Sequence, residues 1–255
     1  MRVVEFALLV LAGVGAGLTG SVAGLASLIS YPALLAAGIP PVTANVTNTV
    51  ALVLNSVGSV SASRPELTGQ GARLRRFAVA AVLGGLAGMV LLLLTPSDAF
   101  ERIVPWLIAG ASVLLLVQRP PRELAVEGAA HPHPRGDPWW LVAGTFLVAI
   151  YGGYFGAAAG VMMLAMYLLG TGERLPVGNA LKNVVLGCAN ATAAVGYVLL
   201  TSIAWSAAVP LAIGLFVGGR LGPRVVRRAP QTLLRRLIAV AGIGLAVRLG
   251  LQAYG

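Results

Sequence analysis

Eight apolar stretches, each holding at most one charged residue, follow one another along the chain: 6–38, 41–63, 77–94, 103–117, 139–170, 177–200, 204–221 and 237–251. Apolar runs of about 18 or more residues are long enough to cross the hydrocarbon core of a bilayer. Inside hydrocarbon a segment has to satisfy its own backbone N–H and C=O groups, so such runs are helices. The reading is an all-α polytopic membrane protein, and it excludes a soluble enzyme with a single anchor. Only 10% of the residues are charged, too few to coat a water-facing surface, where a soluble domain has about a quarter. The formal net charge of +10 does not point to nucleic acid, because the basic residues cluster in short loops between apolar runs, where they set topology. The single cysteine, Cys188, rules out a disulfide framework and a multi-cysteine metal site. The first residues do not combine a basic n-region with a small-residue cleavage site, so the first segment is expected to be retained.

The hydrophilic stretch 119–138 divides the chain into an N-terminal part, 1–118, and a C-terminal part, 139–255, as a cytoplasmic linker would. The two parts resemble each other. A shift of 136 residues lays Gly17, Gly20, Gly24, Leu28 and Tyr31 on Gly153, Gly156, Gly160, Leu164 and Tyr167. A shift of 135 lays Pro41, Asn48 and Asn55 on Pro176, Asn183 and Asn190, and a shift of 134 lays Gly84, Gly85 and Gly88 on Gly218, Gly219 and Gly222. An ordered series that drifts one residue at a time marks an internal duplication.

Charge sets the relation between the repeats. If every run crossed once, the arginine-rich loops 64–76 and 224–236 would lie on opposite sides, against the positive-inside rule. The first runs of the two parts are 33 and 32 residues long. As single helices they would measure about 50 Å, against a hydrocarbon core of about 30 Å. Each has a glycine cluster in its middle and is read as two short helices, crossing twice or dipping in and returning. The expected fold is thus two inverted repeats, each with a broken or hairpin first segment plus three spanning helices, about 8–10 transmembrane elements in all. Thirteen arginines then share the cytoplasmic face and only Arg2 and Arg102 stand in loops opposite, with both termini outside.

The residues able to carry chemistry are few. All eight acids lie in loops or at segment ends, whereas a cation path or a proton relay built on Asp or Glu places one within the membrane. His131 and His133 fall in the linker, as a solvated His-Pro-His-Pro tract. With no intramembrane His, Asp or Glu for acid–base or metal chemistry, an enzyme is not expected, nor is a cofactor. All six asparagines lie in two repeat-related segments, Asn45, Asn48 and Asn55 in one and Asn179, Asn183 and Asn190 in the other. The seven-residue steps from Asn48 to Asn55 and from Asn183 to Asn190 are close to two helical turns, so each pair shares a face. These amides serve either as hydrogen-bonding glue between helices or as the lining of one cavity between the repeats.

Lys182 is the only lysine and lies in the same segment. An unpaired charge is costly to bury, and no buried carboxylate is available to it. Its partner is either an anionic substrate or water at the interface, reached by snorkelling. The glycines Gly17, Gly20 and Gly24, then Gly153, Gly156 and Gly160, have the small-residue spacing that lets backbones approach. A break beside Gly20–Ser21 or Gly156 would also expose backbone N–H groups to an anion. Trp106, Trp139, Trp140 and Trp205 stand near segment ends, as interfacial residues do.

These segments resemble the TauE/SafE family of membrane permeases, the sulfite and organosulfonate exporters. The resemblance rests on Gly17-Leu-Thr-Gly20 with Gly24 and Tyr31-Pro32, on Gly38-Ile-Pro-Pro41 leading into Ala44-Asn-Val-Thr-Asn48, on Gly153-Tyr-Phe-Gly156 with Gly160, on Asn179-Ala-Leu-Lys-Asn183, and on Gly218-Gly-Arg-Leu-Gly222. It covers nearly the whole chain apart from the linker. Family members usually carry a longer glycine run after the first pair, where this chain has Ser21, Val22 and Ala23. The resemblance implies export of a small sulfur-containing anion across the cytoplasmic membrane. The substrate is expected between the asparagine-bearing helices, held by Asn45, Asn48, Asn55, Asn179, Lys182, Asn183 and Asn190 with Gly20, Ser21 and Gly156, while Gly17, Gly24, Gly153 and Gly160 act as hinges. A permease for another anion or a neutral metabolite, and a passive anion channel, are the alternatives.

Overall fold

A computed structural model describes residues 3–130, 136–225 and 231–254, apart from the side chains of residues 225 and 231–235. His131, His133, Arg2, Arg135, Arg227 and Arg228 lie outside the described residues. Among those described there is no strand. The helices are α1 (Val3–Ala23), α2 (Ser27–Ala36), α3 (Pro41–Ala62), α4 (Gly71–Leu94), α5 (Ser97–Val117), α6 (Pro121–Ala130), α7 (Trp139–Tyr154), α8 (Ala159–Thr171), α9 (Leu175–Leu200), α10 (Trp205–Val225) and α11 (Gln231–Tyr254). Proline opens α3 and stands in the first turn of α9, where its missing N–H is one that a helix start leaves unpaired anyway.

Six of these helices, α1, α4, α5, α9, α10 and α11, are long and apolar enough to cross a membrane. The 22-residue α3 is about 33 Å long, but Asn45, Thr47, Asn48, Thr49, Asn55, Ser56 and Ser59 lower its hydropathy. All seven are buried, so α3 is polar toward its neighbours rather than toward water. The outer surface is the reverse: Val79, Leu83, Leu86, Val90 and Leu94 of α4 and Leu237, Val240, Val247 and Leu251 of α11 are exposed. An apolar surface of that extent is unstable in water and suits lipid. The four tryptophans are exposed too.

Both first segments are broken, as their length requires, but not at equivalent places. In the first repeat Gly13, Gly15, Gly17 and Gly20 all lie inside α1, and the chain breaks at Gly24 (φ +78°). In the second it breaks after Tyr154, with Gly156 (φ +75°) and Ala158 (φ +59°) in the left-handed region. Gly156 is the repeat mate of Gly20, so the two breaks are one helical turn out of step. The first segment is therefore one long helix of 21 residues followed by a short one of 10, and the second is a pair of 16 and 13.

The helices that the sequence shifts pair pack reciprocally: α1 packs on α10 and α7 on α4, while α3 packs on α10 and α9 on α4. The helices α3 and α9, mates of each other, also pack together, as do α5 and α11. Glycines make these approaches possible. A Cβ on Gly17 would stand 2.8 Å from Gly219 N, and one on Gly153 would stand 2.5 Å from Gly85 O, the same contact repeated with partners exchanged.

The ends of the bundle are distinct. At one end Arg73 donates from Nε to Asp137 at 2.8 Å and from a guanidinium nitrogen to Glu173 at 2.8 Å, joining α4 to the end of the linker and the α8–α9 loop. At the other, Tyr254 Oη donates to Arg102 O at 3.0 Å. The linker itself is not all coil. Its first half forms α6, which buries Leu124 and Gly128 against α8. A Cβ on Gly128 would stand 2.0 Å from Leu168 O, closer than any packing allows. Gly128→Val should therefore lift α6 from α8 without unfolding the bundle. Limited proteolysis is expected to cut residues 119–138 several times faster in the variant at unchanged monodispersity, and an unchanged rate would mean that α6 is not seated by this contact.

Candidate functional site

The two breaks meet at the centre of the bundle. Gly24 and its repeat mate Gly160 face each other so closely that a Cβ on Gly24 would stand 2.3 Å from Gly160 C. Beside this crossing lies a cavity of about 40 Å³, measured as space open to the centres of water molecules, lined by glycines of both breaks together with Ser27, Leu52, Asn55, Ser56, Asn183, Leu186 and Asn190. On that measure one water needs roughly 10–15 Å³, so the space matches a compact head group of about three oxygens. No carboxylate lines it.

Its polarity follows from which helix ends are capped. At a break, α1 and α7 end with unpaired carbonyls while α2 and α8 begin with unpaired N–H groups. The carbonyl ends are taken up by side chains. Asn179 Nδ2 donates to Ser21 O at 2.7 Å, Asn183 Nδ2 to Ser21 O at 3.4 Å, and Lys182 Nζ to Gly20 O at 3.0 Å and Ser21 O at 3.4 Å. At the other break Asn45 Nδ2 donates to Tyr154 O at 2.8 Å, and Tyr197 Oη donates to Gly153 O at 2.5 Å. The amide ends stay open: among the described residues the N–H groups of Ala26, Ser27 and Gly160 find no intrachain acceptor. Ala26, Ser27, Ala159 and Gly160 all line the cavity. Two positive helix ends therefore face it, while the negative ends are covered.

Asn55 completes the donor set. A Cβ on Gly20 would stand 3.0 Å from Asn55 Nδ2, and one on Gly219 2.7 Å from Asn55 Oδ1, so the amide nitrogen faces the α1 break and the oxygen faces α10. The oxygen is buried without a partner.

Of the residues expected from sequence, the cavity is lined by Asn55, Asn183, Asn190, Gly20, Gly24, Gly156 and Gly160. Asn45, Asn179 and Lys182 instead hold broken-helix carbonyls, Ser21 supplies one of those carbonyls, and Gly17 and Gly153 are packing contacts. Asn48 bridges to α2: Ser30 Oγ donates to its Oδ1 at 2.5 Å, and its Nδ2 donates to Ser27 Oγ at 3.3 Å. Lys182 is 0% exposed, so it does not snorkel. Sequence reasoning passed over Ser27 and Ser56, which line the cavity. Ser27 had a local signal, a small polar residue at the start of the helix resuming after a glycine break.

Aromatic layers flank the crossing. Phe155, beside the second break, packs edge-on to Tyr31 at 5.2 Å and to Phe100 at 6.1 Å. Tyr31 shares a pocket with Glu101 and Gln252, toward the Arg102 end. Toward the Arg73 end Tyr167, the repeat mate of Tyr31, stacks on Phe77 at 4.8 Å and hydrogen-bonds Thr145 Oγ1 at 3.0 Å.

A bundle of apolar helices closed around a polar cavity at two helix breaks defines a multi-pass membrane transporter. The chain belongs to the sulfite exporter TauE/SafE family, which it matches over residues 9–249. It is 27% identical over 244 residues to the probable membrane transporter protein YfcA of Escherichia coli strain K12, covering 94% of this chain and 87% of that protein. It is 25% identical over 238 residues to the probable membrane transporter protein ORF9 of Sinorhizobium sp, covering 92% and 88%, and 26% identical over 237 residues to a probable membrane transporter protein of Haemophilus influenzae, covering 92% and 90%. No solved structure matches the chain. Family and apolar helices together make it a multi-pass protein of the cytoplasmic membrane.

Proposed function

We propose that the protein exports a small sulfur-containing anion, sulfite, sulfoacetate or another organosulfonate, by alternating access. The observation that carries this reading is the cavity at the crossing, which offers the N-termini of α2 and α8 and the amides of Asn55, Asn183 and Asn190, with no carboxylate in its wall. A sulfonate is ionised at physiological pH and its oxygens only accept hydrogen bonds, so it needs donors and positive helix ends rather than a general base. The reciprocal packing of α1 on α10 and α7 on α4 supports inverted repeats, in which rocking of one repeat against the other exposes a central site to each side in turn. In this reading Gly24 and Gly156 bend, Gly17 and Gly153 slide on their glycine partners, and the Tyr31 and Tyr167 layers close alternately. The closely packed aromatics on both sides favour a carrier over an open channel.

Proteoliposomes loaded with labelled sulfite or sulfoacetate provide the test. The expected result is saturable flux with counterflow, absent for neutral amino acids. Single-channel currents, or flux of neutral amino acids at a similar rate, would overturn the proposal.

A further inference from the structure

We infer that Lys182 carries a proton with the anion: the protein takes up one proton for each monovalent anion it binds. The inference rests on the anion reading above and adds the coupling ion to it.

Lys182 is buried at 0% exposure, and among the described residues its Nζ meets only the carbonyls of Gly20 at 3.0 Å and Ser21 at 3.4 Å. A charged ammonium has three donors, and both acceptors here are neutral. They belong to the last turn of α1, whose negative end compensates part of a positive charge. Among the described residues the rest has no source. Among the described residues Lys182 makes no ion pair, and α9 has no other charged residue. The helices packed against α9 are α1, α3, α4, α6, α7 and α8, along with the short turn Pro65–Leu67. Of these α3, α7 and α8 have no charged residue. The described part of α1 has only Glu5, in its first turn far from Gly20. The charges of α4 are Arg73, Arg75 and Arg76 at its start, with Arg73 engaged by Asp137 and Glu173. Those of α6 are Arg122, Glu123 and Glu127, and the short turn has Glu66. The phenols of Tyr151, Tyr167 and Tyr197 are engaged with Ala157 O, Thr145 Oγ1 and Gly153 O, Tyr154 of α7 packs on Phe100, and the thiol of α9 is the half-buried Cys188.

An anion in the cavity supplies the missing charge. Gly20, whose carbonyl Lys182 holds, and Asn183, the next residue of α9, both line that cavity. The lysine thus acts on the anion across one residue without touching it. Such coupling is reciprocal: the anion favours the protonated lysine, and the proton raises the affinity for the anion. Under the 135-residue shift the mate of Lys182 is Thr47, whose Oγ1 accepts from Ala204 N at 3.1 Å. Among the described residues the second break thus has a hydroxyl where the first has the lysine amine, so the stoichiometry is one, and the loaded carrier is electrically balanced.

The probe is methanesulfonate, which stays ionised from about pH 5.5 to 9, so that any proton taken up on binding goes to the protein. Binding to the purified full chain is followed by calorimetry and by an indicator dye in weak buffer. In the wild type, uptake should approach one proton per anion, with affinity falling as the pH rises, by at most about tenfold per unit. Lys182→Arg, permanently charged, should bind with no proton uptake and no pH dependence over this range. Lys182→Met should bind more weakly, again without uptake. Wild-type binding without proton uptake, or undiminished uptake in Lys182→Arg, overturns the coupling and leaves the anion site standing. If methanesulfonate, sulfite and sulfoacetate all fail to bind the wild type, the anion reading falls and the coupling with it.

Discussion

Gly24→Val is expected to abolish transport and to leave little folded protein to isolate. Two independent causes act at this position. Its φ of +78° costs an L-residue with a Cβ about 1–2 kcal/mol, more for a β-branched one. The Cβ would also stand 2.3 Å from Gly160 C and 2.5 Å from its Cα, backbone atoms that cannot rotate away. Relief requires moving the first turn of α8, which is a wall of the cavity. Gly24→Ala should be intermediate, folded but with transport reduced at least tenfold and a lower Tm. Two controls separate the causes. Gly38 shares the left-handed conformation at φ +81° but has nothing within 4 Å of a Cβ, so Gly38→Ala tests strain alone; Gly15 is helical with the same open space, so Gly15→Ala should be neutral. Yield by size-exclusion chromatography and flux in proteoliposomes are the measurements. Equal loss in Gly24→Ala and Gly38→Ala would show that the close approach to Gly160 contributes nothing.

The second large effect is expected for Asn55→Asp. It keeps the shape of the side chain and exchanges a donor for a carboxylate, at a residue only 8% exposed on the cavity wall. Two like charges about 4 Å apart at an effective dielectric near 20 repel by about 4 kcal/mol. Methanesulfonate affinity should then fall by at least about a hundredfold. Asn55→Ala, which only removes the donor, should cost about tenfold. Full affinity in Asn55→Asp would place the anion elsewhere.

Much of the fold was legible in the residues. The apolar runs gave their own boundaries, and α3 and α9 begin and end close to them, because a membrane segment stops where charge and proline accumulate, while α4 and α10 extend past theirs through arginines. The breaks were legible as lengths but not as positions. Any glycine in Gly13–Gly24 has the freedom to adopt positive φ, and two of them, Gly13 and Gly17, serve instead as contacts for α10. The helix α6 was hidden in the linker because its composition is polar. Only three of its residues, Pro121, Leu124 and Gly128, are buried.

The candidate site divides the same way. Composition and order along the chain already determined that the six asparagines and the one lysine are carried by two related helices, with every acid in a loop or at a segment end. Only the tertiary structure decided what each of them meets. The partners of Asn45, Asn179 and Lys182 are backbone carbonyls, which leave no mark in a sequence, at separations of 109, 158 and 162 residues. A broken helix buried in the membrane has to pair its terminal carbonyls, and the nearest amides and the ammonium are drawn to that task. Asn55 and Asn190, further along the same helices, are left facing the cavity at the crossing.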